Sequence, residues 1–498
     1  AQPNIDHLDL KTPSQHLKHR MATPSVALSL KTLNANVLLA RYAVRSEIAA
    51  RATVLARRLD NGDVSLPFKS IISCNIGNPH ALLGQKPLTY IRQVLSLCVN
   101  PDLLLTKGIF PLDTIKRAKQ LLATIPGGVG AYSNSQGLEC VRSDIAAFLR
   151  NRDAVDTSID EIYCTKGASE AVKMTLECLI RNGQDGVLVP VPQYPLYSAT
   201  LTCLGGQTLG YYLDEDDQWS QSKAELTRAY NDAVSSGIKV RALVIINPGN
   251  PTGQVLDRKT LESTIEFCAE NNLVLMADEV YADNVYAENC KFFSCRRVAY
   301  EMGVPVQMVS YNSISKGFTG ECGLRGGYMH LWNFDKDVME QMTKLASMSL
   351  CSNTIGQLAM ALHLAPPRPN EPSYELYISE RDSILSSLKN RAMRISEAFN
   401  RLDGMSCTII QGAMYAFPRV NIPQGAVVMS KSKGYPPDEL YVRELLEETG
   451  VVCVAGSGFL QKDGTYHFRI TILPPEDQID QVIQLVSQFH ARFMKRYS

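Results

Sequence analysis

Between Glu161 and Ala277 the chain repeats one pattern, in which a short apolar run of strand-forming residues is followed by an amphipathic stretch of helical length. The runs are Glu161 to Thr165, Gly186 to Pro190, Val240 to Ile246 and Leu273 to Ala277; helical stretches follow at Ala168, at Leu196 and over Arg258 to Asn271. Runs that are apolar throughout, rather than alternating, suit strands covered on both faces. The pattern predicts an α/β architecture: a mainly parallel sheet between helical layers. Chains of this class display their chemistry on the loops that leave the strand ends.

A length of 498 residues exceeds one small core and predicts two or three domains. A helix is expected over Ala40 to Leu59 as an N-terminal arm. Pro366-Pro-Arg-Pro marks a boundary, followed by a long helix over Ser373 to Leu402. Beyond it the pattern turns α+β, with strands at Ala413 to Phe417, Val451 to Val454 and His467 to Ile472 and a closing helix from Gln478. The expected division is an arm over 1–65, a large domain over 100–365, and a small domain built from 66–99 with 366–498.

Fifty basic residues balance fifty acidic ones, so no net field steers the protein toward nucleic acid or an anionic membrane. No apolar run reaches the roughly 18 residues of a membrane-crossing helix. Thirteen cysteines without a C-x-x-C pair argue for a reducing compartment and against a structural zinc site; no metal is expected. Asp6 and Asp9 are the only acids in the first 45 residues, a bias found in mitochondrial transit peptides. The expected compartment is the cytoplasm, with the mitochondrial matrix as alternative. If Met21 is the natural start, residues 1–20 are an upstream extension.

Five motifs carry the chemistry. The loop Tyr311-Asn-Ser-Ile-Ser-Lys316-Gly-Phe-Thr-Gly-Glu-Cys-Gly-Leu-Arg325 follows the apolar run Val306 to Ser310. A lysine there can form an imine with a carbonyl, and Arg325 can grip a phosphate with two parallel hydrogen bonds. Thr165-Lys-Gly167-Ala168-Ser169 opens a helix after a strand, which makes an anion site of free N–H groups and the helix dipole; Ser313 and Ser315 add hydroxyls. Asn247-Pro-Gly-Asn250-Pro-Thr-Gly253 is a rigid turn that displays Asn250 toward a phenolate-like oxygen. Asp278 ends the most apolar strand and needs a cationic partner, which a protonated pyridine nitrogen would supply; Tyr281 can reach the oxygen beside an imine. Taken singly, each has an ordinary alternative: a solvated loop, a capped helix, a plain turn, an N-cap, a packed ring. Their order beside successive strand ends points to pyridoxal phosphate.

At these residues the sequence resembles the fold type I pyridoxal-phosphate aminotransferases, and its longer blocks resemble the alanine aminotransferase family within them. The blocks are Asn75 to Pro79, Gln93 to Pro101, Pro192 to Ala199, Ile246 to Val255, Gln411 to Tyr415 and Thr465 to Pro474. The resemblance, over about residues 40–498, implies a large domain with a mainly parallel seven-stranded sheet, a smaller α+β domain, and a homodimer with its active sites at the subunit interface. It implies Lys316 as the Schiff-base lysine and proton-transfer base, Asp278 on the pyridine nitrogen, Tyr281 and Asn250 on the ring oxygen, and Tyr194 stacked on the ring. Ala168, Ser169, Ser313 and Arg325 would hold the phosphate, with Tyr132 reaching it from the second subunit. Arg469 would clamp the substrate α-carboxylate, and Gly77 would line the pocket mouth. The implied reaction is ping-pong transfer from L-alanine to 2-oxoglutarate, giving pyruvate and L-glutamate. The alternatives are another amino-acid preference or a lyase on the same scaffold. Two positions depart from the family pattern: Ala455 where proline is usual and Leu460 where glycine is usual.

Overall fold

The computed structural model of the protein describes residues 27–43 and 47–498; the expectations for residues 1–20 and Met21 fall outside them. The first long helix, α1, spans Glu47–Asp60 and buries Ile48, Ala52 and Leu55. It starts later than expected. Ala40 is extended and closes a separate short helix, Ala35–Leu39, which has no buried residue of its own. The apolar stripe at i, i+4 and i+7 that anchors a helix to a core begins only at Ile48.

Seven strands form the central sheet: β1 (Ile162–Thr165), β2 (Asp185–Val191), β3 (Gln207–Tyr212), β4 (Lys239–Ile246), β5 (Val274–Asp278), β6 (Met308–Ser313) and β7 (Gly327–Trp332). Their order is β1-β7-β6-β5-β4-β2-β3. Strand β7 runs antiparallel to both its neighbours, and the other pairings are parallel. The α/β sheet expected from the apolar runs is therefore present, with helices on both faces. Two strands lacked a signal in the sequence. Strand β3 is a half-exposed edge, and β7 begins within the glycine pair Gly326-Gly327, which reads as loop.

Register explains where the motifs meet. Ile246, Asp278 and Tyr311 stand side by side on β4, β5 and β6, so the loops after these strands leave one edge of the sheet together. Gly327, at the start of the antiparallel β7, pairs with Ser313 on one side and Thr165 on the other. The segment entering β7 and the turn leaving β1 thus reach the same edge. Helix α2 (Ala168–Leu179) begins there.

The C-terminal third contributes α3 (Tyr374–Phe399), α4 (Pro437–Thr449), α5 (Glu476–Tyr497), and a small antiparallel sheet ordered β8-β10-β9: β8 (Tyr415–Ala416), β9 (Val454–Ala455) and β10 (Phe468–Thr471). The strand expected over Ala413 to Phe417 is shorter because Ala413 has φ 60°, which extended backbone cannot include. One apolar core joins Ile48, Leu55 and Ile72 to Leu445, Phe468 and Phe489, and Ile72–Ser73 pairs with Val451–Val452. N-terminal and C-terminal segments therefore share a core beside the central sheet. Ala455 has φ −64°, the value to which proline is locked, and Leu460 has φ 58°, the region glycine favours. Both departures keep the backbone of the residue the family pattern places there.

Candidate active site

The anion-binding end of the site is built on the β1-to-α2 turn. Gly167 has φ 80°, and no side chain caps the helix it starts. A Cβ on Gly167 would lie 2.4 Å from Arg325 Nη2, so glycine is what admits the guanidinium over the helix start. Arg325 is itself left-handed (φ 55°). It donates to the carbonyls of Lys166 at 2.7 Å and Cys322 at 3.1 Å, and leans on the hydroxyls of Ser169 at 3.3 Å and Ser315 at 3.4 Å. The Ser313 hydroxyl lines the same cavity but donates to Gly326 O.

Asp278, Asn250 and Tyr281 line the cavity deeper in. Asp278 is buried at the end of β5, and its Oδ2 accepts the Tyr197 hydroxyl at 2.8 Å. Burial raises its carboxyl from the ordinary value to about 6, against the opposing pull of Tyr197 and the Lys316 charge. Such a carboxylate suits a cationic partner. The Asn250 Oδ1 accepts from Arg469 at 3.0 Å, which leaves the amide NH2 to donate elsewhere. Tyr281 is fully enclosed, and burial pushes its hydroxyl well above the phenol value. Lys316 stands three residues beyond β6, and its Nζ lies 5.5 Å from the Tyr281 ring centre and donates to Gly77 O at 3.0 Å.

Arg469, on β10, is 1% exposed. Its Nη2 donates to Asn75 O at 2.6 Å, while Nε has no partner although it is buried. The rings of Tyr415 and Phe459 flank its guanidinium, with centres 4.1 and 4.9 Å away. Tyr194 also lines the cavity, and its hydroxyl meets that of Tyr42 at 2.9 Å.

Of the expected residues, Gly77, Ala168, Ser169, Tyr194, Asn250, Asp278, Tyr281, Ser313, Lys316, Arg325 and Arg469 share one cavity of about 340 Å³. Tyr132 does not line it and is 79% exposed. Sequence reasoning missed Tyr42, Tyr197, Cys322 and Tyr415, of which Tyr42, Cys322 and Tyr415 line the cavity. Two of these had a signal, since Tyr197 and Tyr415 sit inside the quoted blocks. A larger hollow of about 560 Å³ beside Asp214, Glu215 and Trp219 holds none of the expected residues, so chemistry rather than volume selects the site.

Pyridoxal phosphate suits this donor set. The uncapped helix start with Arg325 suits a phosphate, the buried Asp278 suits a cationic ring nitrogen, and the unpartnered Arg469 Nε suits a carboxylate. Residues 92–486 match the family described as aminotransferase class I and II. The chain belongs to the class I and II aminotransferases. This aminotransferase is 48% identical to the probable mitochondrial alanine aminotransferase of Dictyostelium discoideum over 486 residues, which cover 95% of this chain and 91% of that protein. It is 45% identical to glutamate–glyoxylate aminotransferase 1 of Arabidopsis thaliana, over 95% of this chain and 97% of that one. Among solved structures it resembles an alanine aminotransferase from Pyrococcus furiosus, with TM-score 0.72, 25% identity, and coverage of 92% of this chain and 100% of that one. The aminotransferase depends on pyridoxal phosphate and acts on amino and keto acids. Among the described residues no helix is long and apolar enough to cross a membrane, and no group of three potential ligands could hold a metal ion.

Proposed function

We propose that this aminotransferase moves the amino group of L-alanine to 2-oxoglutarate, giving pyruvate and L-glutamate in ping-pong order. The observation that carries the reading is the meeting of Lys316, Asp278, Arg325 and Arg469 in one cavity. The names of the Dictyostelium and Pyrococcus proteins support alanine as the donor. When bound, pyridoxal phosphate supplies an aldehyde that condenses with amines and a protonated ring that accepts the electron pair left at the substrate Cα.

The residues of the chain divide the remaining work. Arg325, Ser169 and the first N–H groups of α2 hold the phosphate, helped by Ser313 and Ser315. Asp278 keeps a negative charge against the ring nitrogen, and Asn250 and Tyr281 donate to the ring oxygen. Tyr194 covers the ring face. Lys316 would hold the cofactor through its Nζ, and as a free amine that atom would be placed to take the substrate Cα proton and give it up again. Arg469 fixes the substrate carboxylate through a planar pair of N–H groups, which leaves the Cα proton directed at Lys316. Gly77 lines the mouth of the cavity.

The assembly in this reading is a homodimer in which Tyr132, exposed on the single chain, reaches the phosphate bound by its partner. The large domain is 100–365, the small domain 66–99 with 366–498, and the arm 1–65. The compartment is the cytoplasm, with the matrix as alternative in view of the mitochondrial Dictyostelium relative; organelle fractionation separates the two.

The test is a half-reaction panel. Purified enzyme is mixed in turn with alanine, glutamate, aspartate and an aromatic amino acid while the cofactor absorbance is followed. Rapid conversion by alanine and glutamate alone is the expected result, and no response to alanine would overturn the assignment. A second reading, glutamate with glyoxylate, is favoured by the 45% identity to the Arabidopsis enzyme, and the rate of regeneration by glyoxylate against 2-oxoglutarate measures it. A lyase would turn alanine over without any keto acid.

A further inference from the structure

Tyr415 touches both ends of the proposed chemistry. It stands on β8, where it pairs with Thr471 of β10, two residues from Arg469. Side chains two apart on a strand share a face, so Tyr415 and Arg469 are diagonal cross-strand neighbours. The ring centre lies 4.1 Å from the Arg469 Cζ, and that of Phe459 4.9 Å from it. A guanidinium packed against two aromatic rings is restrained in its plane, and with it in the direction of its free N–H groups.

The hydroxyl of the same side chain lies beside Gly77, as does Lys316 Nζ. An ideal Cβ on Gly77 would fall 2.0 Å from the Tyr415 hydroxyl and 2.9 Å from Lys316 Nζ, so the two polar atoms crowd a single point left open by a glycine. Lys316 Nζ already donates to the Gly77 carbonyl at 3.0 Å, and the Tyr281 hydroxyl is 3.5 Å from that of Tyr415. Tyr415 is 2% exposed. Burial pushes its hydroxyl up, but the positive charges of Lys316 and Arg469 bring it below the ordinary phenol value.

We propose that Tyr415 is a positioning residue with two separable roles: its ring fixes the plane of Arg469 for the substrate carboxylate, and its hydroxyl, together with Gly77 O, receives the amine of Lys316 whenever that amine is free. The second role rests on the reading of Lys316 given above; the first needs only Arg469 as carboxylate clamp. Gly77 O is the hydrogen-bond partner of the Lys316 amine and the Tyr415 hydroxyl is its polar neighbour, so loss of the hydroxyl gives the amine more freedom to turn away.

Two substitutions separate the roles, because Tyr415→Phe keeps the ring and Tyr415→Leu removes both ring and hydroxyl. For Tyr415→Phe, kcat with alanine falls about tenfold while KM stays within about twofold. Absorbance-monitored condensation of its apoenzyme with added pyridoxal phosphate slows by a similar factor. For Tyr415→Leu, calorimetric binding of butyrate to the holoenzyme weakens by at least about tenfold and alanine KM rises with it. Tyr415→Phe restores butyrate binding to within about twofold of wild type, which separates clamping from general damage to the fold. Wild-type kcat and condensation rate in Tyr415→Phe would overturn the hydroxyl role, and unchanged butyrate affinity in Tyr415→Leu would overturn the ring role. Failure of the alanine assignment itself has a different signature, since butyrate would then distinguish the variants while alanine converts no cofactor in any of them.

Discussion

The hydroxyl of Tyr197 donates to Oδ2 of Asp278 at 2.8 Å, at the point where a helix over the sheet face meets the end of β5. This bond favours the ionised carboxylate, which burial opposes. In Tyr197→Phe the Asp278 carboxyl rises further. The expected result is a kcat about tenfold lower with little change in KM, and an acid limb of the pH profile displaced to higher pH. Steady-state kinetics across a pH series measure both.

Asp278 itself costs the empty protein stability. Its folded value of about 6 lies above the unfolded one, so the cost is absent at low pH, grows as pH rises through the interval from the ordinary carboxylate value to about 6, and is constant beyond it. Thermal melts of the Asp278→Asn apoenzyme should therefore show higher stability than wild type near neutrality, by up to about 3 kcal/mol, with the gap closing toward about pH 4. Transamination by the same variant should fall by about a thousandfold or more, because the ring nitrogen loses its counter-charge.

Arg469→Lys preserves a positive charge but not the planar fork. The amine can still reach Asn75 O, so the variant should fold and retain cofactor. Its kcat/KM for alanine is expected to fall about a hundredfold, chiefly through KM. An unchanged KM would show that another group holds the carboxylate.

Leu460 is held at φ 58° and is 44% exposed, so its side chain offers little packing in return for a left-handed backbone. Leu460→Gly should raise stability by about 1 kcal/mol, read as a higher denaturant midpoint with an unchanged slope.

Much of this site was legible in the sequence because its parts are local. Gly167 with Ser169, the turn around Asn250, Asp278 after its apolar strand, and Lys316 with Arg325 each announce a role within a few residues. Register could not be read from the chain: Ile246, Asp278 and Tyr311 stand abreast only because β4, β5 and β6 are neighbours, and the antiparallel β7 that carries Arg325 to the same edge has no local mark. The tyrosines behind and around the reacting groups were missed for a related reason. Tyr197 lies inside a quoted block, but nothing local says that its hydroxyl bonds Asp278 across the sheet. Tyr132 shows the opposite limit, since its position on one chain assigns it no contact with the cavity.

The guanidinium of Arg469 binds Asn75 O from far upstream in the chain and Asn250 Oδ1 from between them, while β10 itself lies well downstream of both. The phosphate cup of one chain is framed by β1, β6 and β7 and lies within residues 162–332. A nascent chain can therefore complete its cofactor cradle long before it can grip an amino acid, and substrate recognition becomes a test that all three segments have arrived.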